Sequence, residues 1–153
     1  MISKVLIANR GEIVARVIKT CQKMGIASTA VYSAADDNAS YLKSADSAVA
    51  IGPANPVQSY LNMDAVIDAA TSSGAEAIHP GYGFLSERGK FAQAVEEAGI
   101  TWIGPPSAVL KAISSKVYCR KVAHKVDVPV TPGTLDLVSS VDQVIEYGKT
   151  NGW

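Results

Sequence analysis

Along this chain, short apolar runs alternate with amphipathic stretches. Val5-Leu6-Ile7-Ala8 is uninterrupted, as expected for a strand buried on both faces of a parallel sheet. After a turn at Asn9-Arg10-Gly11-Glu12, the apolar period changes. Ile13, Val14, Val17, Ile18, Cys21 and Met24 recur at helical spacing, with Arg16, Lys19, Gln22 and Lys23 on the other side. Gly25 ends that helix in the position after its last turn, and residues 27–32 follow as a second strand. Residues 48–51 make a third strand, stopped by Gly52-Pro53. Asn62 caps a helix through Ala70, with Gly74 beyond it. Residues 75–78 form a fourth strand that runs into the turn-rich His79-Pro80-Gly81-Tyr82-Gly83. Ser86 is expected to cap a helix of Phe91, Ala92, Ala94, Val95 and Ala98, stopped by Gly99.

The alternation continues with a fifth strand at residues 100–103, ended by Gly104-Pro105-Pro106. Ser107 caps a helix of Val109, Leu110 and Ile113, and a further helix covers Lys116 to about Val126 before Pro129 and Pro132 break the chain. Residues 141–147 have helical character, and residues 148–153 read as a helix end leading toward a strand. That ending predicts a piece of a longer protein. Repeated strand–helix units with short linkers require right-handed crossovers and a parallel sheet. The predicted fold is α/β, a Rossmann-like parallel sheet with helices on both faces. Residues 1–114 are expected to be that domain, and residues 115–153 a link into the next.

Composition narrows the function classes. Fourteen basic residues balance fourteen acidic ones, interspersed along the chain, so no net field favours nucleic acid or an anionic membrane. No apolar stretch approaches the ~20 residues of a membrane span, and the N-terminus has no signal-peptide pattern. Cys21 and Cys119 lack metal-ligand or CxxC spacing, which predicts buried thiols in a reducing compartment. A cytoplasmic protein is expected, or a mitochondrial one after loss of a transit peptide.

Three places carry candidate chemistry. The first turn has one glycine where a dinucleotide site would have three, and Glu12 puts a carboxylate where a pyrophosphate would sit. A conventional dinucleotide site is not expected there. Glu12 either stabilises the first helical turn or lies near a ligand. The second place is Ile78-His79-Pro80-Gly81-Tyr82-Gly83-Phe84-Leu85-Ser86-Glu87, at the strand edge where open α/β sheets bind ligands. There, glycines on both sides of Tyr82 direct the phenol toward a site. His79 either donates from its ring or is a core histidine satisfied by a backbone carbonyl, and Glu87 matches the dipole in the first turn of the next helix. The third is Lys116, an ammonium at a helix start, where N–H groups can help it reach a phosphate. Glu96 and Glu97 read as solvated surface, and His124 sits exposed in a basic helix. Paired glycosidase carboxylates, Ser/His/Asp triads and zinc spacing are missing.

Together, Ile7-Ala8-Asn9-Arg10-Gly11-Glu12-Ile13 and residues 77–87 closely resemble the biotin carboxylase family. Ser59-Tyr60-Leu61-Asn62, Trp102-Ile103-Gly104-Pro105 and Val128-Pro129-Val130-Thr131-Pro132-Gly133 extend the match from Lys4 to Trp153. The resemblance implies carboxylation of biotin by bicarbonate using ATP and Mg2+ (or Mn2+), through a carboxyphosphate intermediate. It implies a Rossmann-like first domain that precedes an ATP-grasp domain beginning within residues 115–153. It assigns Tyr82, Gly83 and Glu87 to the bicarbonate/biotin cleft and Lys116 to ATP. The lid, the metal-binding glutamates and the catalytic arginine would lie beyond Trp153, so this segment alone is expected to be inactive. Arg16, Lys19 and Lys23 resemble the family's dimer face. The implied partners are a biotin carboxyl carrier protein or domain and a carboxyltransferase subunit. The family usually writes Met-Gly-Asp-Lys or Met-Gly-Ser-Lys where this chain has Ile113-Ser114-Ser115-Lys116. Two other classes remain open: a binding domain of another ATP-grasp ligase, and an interaction module built on the helix carrying Arg16, Lys19 and Lys23.

Overall fold

The computed structural model describes residues 1–152. Among these, five parallel strands form one sheet in the order β3-β2-β1-β4-β5. They are β1 (Lys4–Ile7), β2 (Ala27–Tyr32), β3 (Ser47–Ala50), β4 (Ala77–His79) and β5 (Thr101–Trp102). The helices are α1 (Glu12–Met24), α2 (Met63–Ser73), α3 (Gly89–Glu97), α4 (Ser107–Ile113), α5 (Lys116–Lys125) and α6 (Val141–Asn151). The predicted α/β fold with a parallel sheet is the fold that forms.

The continuous apolar run of β1 has a direct structural reason. Successive side chains of a strand point to opposite faces, and here both faces are covered. Leu6 and Ala8 join a core with Val66 of α2 and Phe91 and Val95 of α3. Val5 and Ile7 join the opposite core, with Val14, Ile18 and Cys21 of α1. Phe91 meets Trp102 edge-on at 5.5 Å between ring centroids, a favoured aromatic geometry.

Compact packing divides the chain into Met1–Leu110 and Lys111–Trp153. In the second unit, the Arg120 guanidinium donates to the carbonyls of Thr131 (2.8 Å) and Thr134 (3.2 Å), tying the proline-rich segment to α5.

Several local expectations match the structure. The Asn62 side chain accepts from the Ala65 N–H, and Gly25 and Gly74 end their helices in the left-handed conformation. Others need correcting. Ser86 does not cap α3, which begins at Gly89 after Arg88, because residues 83–88 fold into successive turns. Ser107 is the first residue of α4 rather than its cap, and its hydroxyl donates to Glu96 Oε2 at 2.9 Å. Met24 is 66% exposed, since the α1 face covering the sheet is narrower than its apolar stripe. Cys119 is half-buried, not core, and points its thiol at the Ile113 carbonyl. The last helix continues to Asn151, inside the stretch read as a helix end. Trp153, the end of the expected strand approach, lies outside the described residues. Two 3-10 turns, Ser40–Ser44 and Pro56–Gln58, were not legible as periodic patterns.

Candidate functional site

The strand order reverses beside β1, with β2 and β3 to one side and β4 and β5 to the other. Loops leaving the carboxyl ends of β1 and β4 therefore part in opposite directions and open a crevice. These loops are the two motif stretches, residues 8–11 and 80–88. The topology brings together segments about 70 positions apart because β1 and β4 are hydrogen-bonded neighbours, with Ile7 opposite His79.

Asn9 locks the two loops together. It is 3% exposed, and its amide nitrogen donates to the carbonyls of Pro80 and Tyr82, both at 2.8 Å. Its Oδ1 accepts from the Arg10 N–H at 2.9 Å. Gly81 (φ 65°) lies so close that an added Cβ would stand 2.6 Å from Asn9 Nδ2. Glycine is required there for both conformation and space. Gly83 also has φ 65°, but open space surrounds it.

The Tyr82 side chain is 62% exposed, as its flanking glycines predicted. Its hydroxyl donates to Glu12 Oε1 at 2.9 Å, and that carboxylate raises the phenol's pKa. Glu12 thus does more than occupy the first turn of α1. His79 is half-buried, and burial lowers its pKa. Its Nδ1 accepts from the Gly81 N–H at 3.0 Å. The ring is held by a backbone donor, not by the carbonyl expected of a core histidine. Glu87 is exposed and precedes α3 by two residues, so it is not in that helix's first turn.

Beside the loop, a groove of about 630 Å³ runs along α1, lined by Ile13, Arg16, Val17, His79, Gly81 and Tyr82 among others. Lys19 and Lys23 are exposed on the same helix. Elsewhere, Glu96 and Glu97 are exposed at the end of α3, and His124 is exposed on α5.

A supporting network lies behind Asn9 and was missed by sequence reasoning. Arg10 pairs with Asp36 and sits 5.7 Å from the centroid of the Tyr60 ring. The Tyr60 hydroxyl donates to Asp36 Oδ2 at 2.7 Å and accepts from the Ser33 N–H at 3.0 Å. Burial pushes the Asp36 carboxyl up, but hydrogen bonds from Arg10 and Tyr60 outweigh it and leave its pKa below the ordinary value. Phe84 has a positive φ of 46°, rare for a bulky residue, and its ring packs 5.3 Å from Tyr60. Asn9-Arg10 and Tyr60 stood out in sequence only as parts of the family resemblance, not as partners of one another. Asp36 and Tyr60 stand in segments without a periodic signal.

Lys116 belongs to the second unit, where it is exposed as the first residue of α5. The preceding Ser115 accepts from the Tyr118 N–H at 3.2 Å. The serine standing before the lysine is therefore a helix cap. Among the described residues, no cluster of three or more His, Cys, Asp or Glu side chains could hold a metal ion. No helix among them is long and apolar enough to cross a membrane.

Comparison with known proteins places this geometry in a family setting. Residues 1–110 match the family described as biotin carboxylase, N-terminal domain. Over 153 residues the chain is 45% identical to the propionyl-CoA carboxylase alpha chain of Ruegeria pomeroyi, covering 100% of this chain and 22% of that protein. It is 42% identical to the biotin carboxylase of Halalkalibacterium halodurans, again over 100% of this chain and 34% of the relative. Among solved structures, the biotin carboxylase domain dimer of Hydrogenobacter thermophilus 2-oxoglutarate carboxylase, in complex with MgADP, ADP and bicarbonate, superposes with a TM-score of 0.93. Its identity is 42%, with 100% of this chain and 34% of that chain covered. The chain thus spans about a third or less of these proteins.

Proposed function

The chain belongs to the family of biotin carboxylase N-terminal domains, and from that membership we propose that it forms the first part of an enzyme that carboxylates biotin on a carrier protein. ATP and bicarbonate supply the activated carboxyl group, with Mg2+ (or Mn2+) as the companion ion. Residues 1–114 form the Rossmann-like domain, and residues 115–153 begin the ATP-grasp domain.

Tyr82, Gly83 and Glu87 wall the bicarbonate/biotin cleft. The observation that carries this reading is the clamped loop at the sheet's switch point. Asn9 fixes the backbone of residues 80–82, and the Tyr82 ring stands exposed beside Gly83, whose open surroundings let a ligand approach the backbone.

Lys116 reaches an ATP phosphate. It is exposed as the first residue of α5, and a helix start is a setting in which a lysine and a helix dipole both favour an anion. On the same reading, the metal ligands and the catalytic residues belong to the rest of the enzyme. The 153-residue chain alone is inactive on this reading.

The partners are a biotin carboxyl carrier protein or domain and a carboxyltransferase subunit. Homodimerisation would use α1 through Arg16, Lys19 and Lys23, all exposed. The cell compartment is the cytoplasm, or the mitochondrion, in keeping with the unpaired thiols of Cys21 and Cys119.

The test is carboxylation of free biotin from labelled bicarbonate by the polypeptide that carries this chain. ATP-dependent incorporation of label is expected. ATP-dependent ligation with no label in biotin would instead favour a non-biotin ATP-grasp ligase.

A further inference from the structure

A side chain–side chain hydrogen bond, Tyr82 hydroxyl to Glu12 Oε1, joins the two motifs across 70 positions of sequence. Beneath it the backbone is already fixed, since Asn9 holds the carbonyls on either side of Gly81. The remaining freedom lies in the Tyr82 side chain. Neither neighbouring glycine offers a side chain to pack against, and the ring is 62% exposed. An untethered exposed ring changes rotamer within nanoseconds. Glu12 removes that freedom from a rigid base, the first turn of α1, which also buries Val14 in the core.

We infer that Glu12 is a positioning residue for biotin carboxylation: its carboxylate holds the Tyr82 phenol so that the ring keeps one stance at the edge of the cleft. The inference rests on the reading of Tyr82 as a cleft residue. Glu12 itself touches no reacting atom. Its effect belongs in the capture of biotin and not in the chemistry of ATP.

The experiment uses the full-length carboxylase and measures KM for free biotin, KM for ATP and kcat. Glu12→Ala is expected to raise the KM for biotin about fivefold, the scale of one net hydrogen bond, with kcat and the KM for ATP unchanged. Glu12→Gln, which keeps a carbonyl acceptor for the phenol, should restore most of the loss. Tyr82→Phe removes the hydroxyl and should match Glu12→Ala. In the Tyr82→Phe background, Glu12→Ala should have no further effect, because the group it holds is gone. Multiplying effects in the double variant would overturn the inference, as would an unchanged biotin KM in Glu12→Ala. A loss of thermal stability with no rise in biotin KM would overturn it too, since Glu12 would then serve only its helix. Tyr82→Ala separates the two claims. If it leaves biotin KM unaltered, the cleft reading of Tyr82 fails. If it raises that constant while Glu12→Ala does not, the inference alone fails.

Discussion

Replacing Gly81 by alanine puts a methyl group into space that is already taken. The new Cβ would stand 2.6 Å from Asn9 Nδ2, 2.8 Å from Ile13 Cγ2 and 2.9 Å from Asn9 Cγ. The backbone there has φ 65°, a left-handed conformation that costs an L side chain roughly 1–2 kcal/mol. Relieving the clash means moving the Asn9 amide, which gives up hydrogen bonds to Pro80 and Tyr82. Each is worth about 1 kcal/mol net, and a buried amide left unpaired costs more. Gly81→Ala should therefore destabilise the first unit by about 3–5 kcal/mol. Gly83→Ala is the matched control. It has the same φ of 65°, but nothing lies within 4 Å of the added carbon, so only the conformational cost of about 1–2 kcal/mol applies. Guanidinium unfolding followed by circular dichroism measures both. The expected gap between the two variants is about 2–3 kcal/mol. Equal losses would refute the clamp, because they would show that Asn9 and the loop yield freely to one another.

Burial lowers the His79 pKa while the unfolded ring titrates near 6.5, so below that pH the unfolded state binds more protons. This part of the stability is present in full above about pH 6.5 and is lost as pH falls through the lower folded value. Acid unfolding should show it, and His79→Asn, which keeps an acceptor for the Gly81 N–H, should flatten it; an equally steep decline in the variant would contradict the assignment. In the full-length enzyme, Lys116→Gln should raise the KM for ATP by about tenfold, the scale of one lost charged hydrogen bond, whereas an unchanged constant would remove Lys116 from the ATP site.

The fold was legible in sequence because its signals are local and repeated. The unbroken apolar run of β1 and the glycine stops after α1 and α2 each follow from one rule of strand or helix chemistry. Boundaries failed where a turn replaced a helix. Ser86 resembles a cap in sequence, but the chain spends residues 83–88 on turns before Gly89 can start α3. The exposure of Tyr82 was legible from its two glycines. Its partner was not, because the Glu12 contact depends on β1 lying beside β4, and strand order leaves no mark in local periodicity. Asn9 was read as a turn residue for the same reason: only the assembled sheet shows that its amide faces two loop carbonyls. The ring acceptor at His79 likewise turned on a backbone N–H two residues away, whereas both sequence readings had the ring donating.

Bicarbonate-dependent ATP hydrolysis by the isolated 153-residue chain, set beside the full-length polypeptide, tests most directly whether this segment supplies a cleft wall and one phosphate-facing lysine but not the chemistry. No turnover by the chain and biotin-stimulated turnover by the longer polypeptide are the expected pair. Measurable turnover by the chain alone would contradict it, and would place the catalytic groups among these residues.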